Sequence, residues 1–173
     1  MTIPFRGPAG QETTPYLLTP GPLTTTPAVK EAMLRDWGSW DADLRAVVAC
    51  IRSDLLDIAD ASQGFECVLL QGSGSYGVEA ALGSFAPKNK KTLMLTNGAY
   101  GERAIKALSY MNRDFISYET DELEAPSAEE VAALLKANPD VGAVFMVQCE
   151  TTSGIVNPIE DAARRFTLHH EHG

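Results

Sequence analysis

The sequence predicts an α/β domain: a mostly parallel sheet with helices on both faces. From Phe65 onward, short apolar runs alternate with segments whose apolar residues recur at spacings of three and four. The short runs are near-continuously apolar, the mark of strands covered on both sides, and the stretches joining them are long enough to be helical crossovers. Right-handed crossovers place the strand carboxyl ends on one edge, where ligands of such sheets bind. With 173 residues and 45% hydrophobic content, the chain is one globular domain or part of one.

The elements follow in order. Residues 1–26 carry Pro4, Pro8, Pro15, Pro20 and Pro22, which forbid regular helix and predict an extended arm; residues 27–173 form the domain proper. Thr26 followed by Pro27 is an N-cap with proline at the first helical position, opening a helix that runs to Trp37, before Gly38. Asp41 caps a longer helix. Its residues Leu44, Val47, Val48, Ile51, Leu55 and Ile58 make an apolar stripe opposite Arg45, Arg52, Asp54 and Asp57, a pattern that predicts packing on a core.

Strand and helix then alternate. Strands are predicted at 65–71, 92–97, 115–118 and 141–148. Helices are predicted at 75–86 and at 100–112, the latter with Ala104, Ile105, Leu108 and Met111 inward. Ser127 and Glu130 form a capping box before a helix through Lys136. Asn157, Pro158 and Glu160 open a last helix carrying Ile159, Ala162, Ala163 and Phe166.

Composition narrows the partners. A net charge of −9 and a pI near 4.7 oppose a non-specific hold on nucleic acid or an anionic membrane, since both require a basic face. No apolar run approaches the ~20 residues that span a bilayer, and the amino terminus has no signal-peptide apolar region, so a cytoplasmic location is expected. Cys50, Cys67 and Cys149 are odd in number and lack C-x-x-C spacing, which predicts neither disulfides nor zinc. Cys67 and Cys149 lie in apolar, strand-like runs, where a buried, inert thiol is expected. In the H-H-E-H tail, His169 and His170 are adjacent and cannot share a helix face, so no metal site is expected.

Three loops at the predicted carboxyl edge carry the chemistry. In Q-G-S-G-S-Y-G, residues 71–77, a strand would turn tightly into a helix whose first N–H groups point at one spot. Glycines permit close approach and Ser73 and Ser75 add hydroxyls, which together make a phosphate cradle. Gly72, Gly74 and Gly77 also satisfy the dinucleotide pattern G-x-G-x-x-G, although the acid expected about 20 residues on is missing near Asn97. A glycine turn that merely packs helix on strand stays open as well. The second loop offers Tyr100 and the third offers Thr151, Thr152 and Ser153. A flat, phosphorylated heteroaromatic would use all three loops, and pyridoxal 5′-phosphate is such a molecule. Otherwise Tyr100 is a packing aromatic and T-T-S a helix-capping turn.

The blocks Y-L-L-T-P-G-P-L-T-T-T-P-A-V, D-W-G-S-W-D, Q-G-S-G-S-Y-G-V-E-A-A, L-T-N-G-A-Y-G-E-R and C-E-T-T-S-G-I-V-N-P resemble those of the 2-aminoethylphosphonate:pyruvate transaminases. These are class V aminotransferases of the fold-type I pyridoxal-phosphate enzymes. The resemblance runs from about Pro15 to about Ala163. It implies a partial fold-type I large domain lacking the later strands and the small carboxyl-terminal domain. By position it assigns Ser73, Gly74 and Ser75 to the cofactor phosphate, Tyr100 to the pyridine face and Thr151 to the phenolic oxygen, with Thr19 and Gly21 on the substrate side. The substrates implied are 2-aminoethylphosphonate and pyruvate, the products phosphonoacetaldehyde and alanine, and the full-length enzyme a homodimer.

The Schiff-base lysine, the acid against the pyridine nitrogen and the arginine for the substrate carboxylate belong to blocks expected beyond Gly173. Lys30, Lys88, Lys90, Lys91, Lys106 and Lys136 match no such block. The chain as given is therefore expected to hold the cofactor contacts without catalysing transamination. Two alternatives stay open on the residues alone: another class V transaminase, of the alanine:glyoxylate or serine:pyruvate type, and a non-catalytic module binding a dinucleotide or phosphate.

Overall fold

A computed structural model describes residues 16–171. It divides into two units, one ending at Leu69 and the other beginning at Leu70, and each is described by itself. The prolines at 4, 8 and 15 and the end of the H-H-E-H tail fall outside the described residues.

In the first unit the turn at T-P-G-P is held locally: the Leu17 N–H donates to Thr24 Oγ1 at 2.6 Å and the Thr19 hydroxyl to the Pro22 carbonyl at 2.8 Å. Helix α1 (Pro27–Ala32) begins as expected, with Thr26 Oγ1 accepting from the Val29 N–H at 3.4 Å and proline at the first position. It ends before Trp37, because the N–H groups of Met33 and Leu34 reach back only three residues, to Lys30 and Glu31. That tightening closes the helix after two turns.

Helix α2 (Ala42–Ile58) starts after Asp41, but the Asp41 carboxylate faces backward and accepts from the Gly38 N–H at 2.8 Å instead of capping the helix. Its stripe was expected to pack on a core. Val47, Val48, Ile51 and Leu55 are instead 37–45% exposed and Ile58 82%, and no described residue up to Leu69 is buried. An apolar face records what a helix can pack against; a core also needs the facing element.

The run 65–71 is likewise not a strand. Phe65 is 69% and Val68 75% exposed, and no ladder partner is present among the described residues. Arg52 on α2 holds its start, with Nε donating to the Cys67 carbonyl at 2.7 Å and a guanidinium nitrogen 2.6 Å from the Glu66 carboxylate. The expectation of buried thiols also fails: Cys67 is half-buried and Cys149 exposed.

The second unit is the predicted α/β layer structure. Strands β1 (Lys91–Thr96), β2 (Phe115–Glu119) and β3 (Val141–Met146) form a parallel sheet in the order β2-β1-β3. Helices α3 (Gly74–Phe85), α4 (Ala99–Tyr110), α5 (Ala128–Ala137) and α6 (Ile159–Glu171) lie between and after them. Successive side chains of a strand face opposite sides, so β1 feeds two cores. Met94 packs with Leu82, Ala86, Ala104 and Leu108 on the α3 and α4 side, while Leu93 and Leu95 pack with Val131, Leu135, Val141 and Ala162 on the α5 and α6 side. Burying each such leucine contributes about 1.5–3 kcal/mol.

The capping box is present, with the Glu130 N–H on Ser127 Oγ at 3.2 Å and the Ser127 N–H on Glu130 Oε2 at 2.8 Å. A two-stranded antiparallel hairpin, β4 (Cys149–Glu150) with β5 (Ile155–Val156), follows β3. It was not expected from sequence. Gly154 makes its turn at φ +79°, a conformation that favours glycine.

Candidate functional site

The parallel sheet sends the carboxyl end of β1 into the Asn97–Gly101 loop and that of β3 into the β4–β5 hairpin. Asn97 is 3% exposed and exchanges amide hydrogen bonds with Asn157, 4% exposed, at 2.9 Å each way. Asn157 Nδ2 also donates to the Val147 carbonyl at 2.8 Å. One reciprocal amide pair thus ties the end of β1 to the segment after β3 and to the start of α6.

Past Asn97 the backbone turns into α4 through Gly98. A Cβ there would lie 2.5 Å from Glu150 Cγ, 2.6 Å from Glu150 Cδ and 2.9 Å from Thr152 Oγ1. Three residues on, a Cβ at Gly101 would lie 2.7 Å from both Cβ and Cγ2 of Thr96. Both glycines of N-G-A-Y-G are therefore required by contact, not by backbone angle. Between them Tyr100 is 44% exposed.

Glu150 explains the crowding at Gly98. Its side chain is fully buried, with Oε2 accepting from the Tyr100 N–H at 3.2 Å and Oε1 from the Thr152 hydroxyl at 2.7 Å. Helix α4 has no side-chain cap of its own at Gly98. The carboxylate supplies one from the third loop, where the helix dipole favours negative charge. The Thr151 hydroxyl, in the hairpin turn, is exposed and makes no hydrogen bond among the described residues.

The loop at 72–75 leads into α3. Gly72 has φ +140°, and a Cβ on it would lie 2.9 Å from Tyr76 Cδ1. Ser73 is the N-cap yet its hydroxyl caps nothing, and the N–H groups of Tyr76 and Gly77 return to the Ser73 carbonyl. The N–H groups of Gly74 and Ser75 precede these bonds and are the ones a helix leaves for an incoming acceptor. A Cβ at Gly74 or at Gly77 would meet no atom within 4 Å. In a dinucleotide loop the third glycine is there for close helix–strand packing. Gly77 has no such contact, so the spacing that fits G-x-G-x-x-G lacks its physical reason here.

Arg103, one turn into α4, joins the first loop to the second. Its Nη1 donates to Ser75 Oγ at 3.2 Å and its guanidinium lies 5.2 Å from the Tyr100 ring centroid. The three loops proposed from sequence are therefore linked in space: Ser75 to Arg103, Arg103 to Tyr100, Tyr100 to Glu150, and Glu150 to Thr152. Sequence reasoning missed Arg103 and Glu150, although both stand inside the blocks that carry the resemblance. Arg103 is three residues after Tyr100 on a predicted helix, a spacing that puts two side chains side by side. Nothing in the sequence pairs Glu150 with a backbone N–H 50 residues away.

Thr19 and Gly21 lie in the other unit, where a Cβ at Gly21 would meet nothing within 4 Å. Among the described residues, no group of three His, Cys, Asp or Glu side chains could hold a metal ion. No helix there is long and apolar enough to cross a membrane.

No protein-family model matches the chain. It is 53% identical over 148 residues to the 2-aminoethylphosphonate–pyruvate transaminase of Rhizobium meliloti (strain 1021), covering 85% of this chain and 39% of that protein. It is 52% identical over 150 residues to 2-aminoethylphosphonate–pyruvate transaminase 1 of Paraburkholderia xenovorans (strain LB400), covering 86% and 39%. The chain thus spans 39% of the length of each of these curated relatives.

Among solved structures, its fold matches pyridoxamine-pyruvate aminotransferase from Mesorhizobium loti with a TM-score of 0.78 and 24% identity, over 88% of this chain and 38% of that one. It matches aspartate aminotransferase from Thermus thermophilus with a TM-score of 0.81 and 23% identity, over 92% and 44%. The expected α/β architecture, a partial fold-type I domain, is the one observed. In sequence the chain is similar over most of its length to 2-aminoethylphosphonate–pyruvate transaminases, and its structural neighbours are class V aminotransferases.

Proposed function

We propose that the whole protein transfers the amino group of 2-aminoethylphosphonate to pyruvate, yielding phosphonoacetaldehyde and alanine. In this reading the second unit of the chain supplies much of the pocket for pyridoxal 5′-phosphate. The observation that carries the reaction is the 53% identity to a transaminase of that name over 148 residues.

The residues present fit the cofactor. The N–H groups of Gly74 and Ser75 open α3 with no side-chain cap over them, and a Cβ at Gly74 would still leave the space above it clear. A phosphate would be held there by those N–H groups, the hydroxyls of Ser73 and Ser75 and the helix dipole. Arg103, hydrogen-bonded to Ser75, adds positive charge beside that spot. Tyr100 is 44% exposed, and a pyridine stacked on its ring would have its plane fixed. Thr151 carries an uncommitted hydroxyl for the phenolic oxygen. When bound, pyridoxal phosphate supplies an electron sink for the carbon that bears the amino group. These residues bind and orient it.

Thr19 and Gly21 are assigned to the substrate side in the same reading. It also takes residues 1–26 as an arm and 27–173 as part of the large domain, and it carries a homodimeric, cytoplasmic protein. The test is an assay of the whole protein with 2-aminoethylphosphonate and pyruvate against alanine and glyoxylate. Turnover of the first pair is expected. Turnover confined to the second pair would replace the phosphonate reading with another class V activity.

A further inference from the structure

We propose that Glu150 is a positioning residue that locks the ring-face aromatic and the hydroxyl turn into one pre-formed unit. The proposal rests on the reading above, in which Tyr100 and Thr151 contact the cofactor ring.

Helix α4 has no local cap, and a local one is sterically excluded: any side chain at Gly98 would overlap Glu150 Cγ, 2.5 Å from the Cβ position. The cap arrives instead from 50 residues away. Glu150 is fully buried, so its carboxylate must be met by donors, and the donors are the Tyr100 N–H at 3.2 Å and the Thr152 hydroxyl at 2.7 Å. A Ser or Asp at the N-cap would satisfy the helix and leave the third loop unconstrained. Capping from Glu150 satisfies the helix and, with the same two oxygens, sets where the hairpin turn stands relative to the Tyr100 backbone. Movement of either loop would break a charged hydrogen bond inside the protein, where its loss is most costly. The Tyr100 backbone and the hairpin turn that carries Thr151 are thereby held at a set separation before any ligand enters.

Glu150→Ala and Glu150→Gln, made in the chain and in the whole protein, test this with two readouts. The first needs no ligand: amide hydrogen exchange. In Glu150→Ala the Tyr100 amide should exchange about tenfold faster or more, the value for losing a bond to a charged acceptor, with Leu108 in the same helix within about twofold of the parent. In Glu150→Gln it should stay near the parent, since the amide oxygen can accept from Tyr100 while its NH2 donates to Thr152 Oγ1. The second readout is affinity for pyridoxal phosphate against inorganic phosphate. Glu150→Ala should weaken the first about tenfold and leave the second within about twofold, and Glu150→Gln should restore it.

Unchanged exchange at Tyr100 would overturn the proposal. So would a Glu150→Ala variant that loses both ligands equally, which would make Glu150 a residue of general stability. If the parent takes up no pyridoxal phosphate, the cofactor reading fails, and the exchange pattern alone decides whether Glu150 couples the two loops.

Discussion

Gly98→Ala isolates one contact on which the site is built. The new methyl would sit 2.5 Å and 2.6 Å from Glu150 Cγ and Cδ and 2.9 Å from Thr152 Oγ1. Ordinary carbon contacts are about 3.5–4.0 Å, so something must move by about 1 Å. Glu150 cannot swing away, because it is fully buried and hydrogen-bonded on both oxygens. Relief has to come from lifting the α4 terminus off the hairpin, which stretches the Tyr100–Glu150 bond. Overpacking of this kind costs about 1–3 kcal/mol, and weakening a bond to a charged acceptor adds to it, so a loss of about 2–4 kcal/mol is expected.

Gly77→Ala is the control, since its methyl would meet no atom within 4 Å inside α3. It should gain about 0.5–1 kcal/mol from helix propensity. Urea denaturation followed by far-UV circular dichroism measures both. A neutral Gly98→Ala would refute the close packing. The same assay on Glu150→Ala with Gly98→Ala sharpens it: truncating Glu150 removes the two nearest atoms, Cγ and Cδ, so the added cost of the methyl should fall below about 1 kcal/mol. Strictly additive costs would show that the methyl clashes with something else.

Three other outcomes are expected. Arg103→Ala should weaken inorganic phosphate and pyridoxal phosphate alike, about fivefold to tenfold, in an isothermal titration at low salt, with the effect shrinking as salt screens the exposed guanidinium; unchanged affinity would remove Arg103 from the cradle. Leu93→Ala, fully buried between β1 and the α5 and α6 layer, should cost about 2–5 kcal/mol, while Ile51→Ala on the exposed α2 stripe should cost under about 0.5 kcal/mol. Equal costs would show that α2 packs on a core after all. Glu130 is held below its ordinary 4.5 first by the Tyr118 hydroxyl and then by the Ser127 backbone and side-chain bonds. A carboxylate lowered in the folded state binds its proton more readily when unfolded, so its contribution is present above about pH 4.5 and lost as pH falls below that. Glu130→Gln should accordingly flatten the acid limb of a stability-versus-pH curve; an unaltered limb would count against the capping-box carboxylate.

What was legible in the sequence was whatever lies within a few residues of its own cause. The alternation of apolar runs with helical spacing sets β1, β2 and β3 and the helices between them, because side-chain period follows backbone geometry. The capping box is a spacing of three, and it formed between Ser127 and Glu130. The loops carrying Tyr100 and Thr151 could be placed at one edge because parallel strands with right-handed crossovers admit one arrangement, and they follow β1 and β3; the glycine loop follows a run that is not a strand. The blocks around them were specific enough to indicate the family.

Tertiary structure decided everything that needs a partner far along the chain. The run at 65–71 and the α2 stripe have the residues of a strand and of a core-facing helix, yet ladder bonds and burial are properties of pairs, and their partners are not among the described residues. Asn97 and Asn157 are 60 residues apart and Tyr100 and Glu150 50, separations at which no local pattern records a hydrogen bond. The sequence by itself determined that a glycine loop, an aromatic and a hydroxyl turn each follow an apolar run. Only the folded structure decided that Arg103 bridges the first two and that a buried Glu150 binds the last two together, since those contacts exist only once the strands are paired.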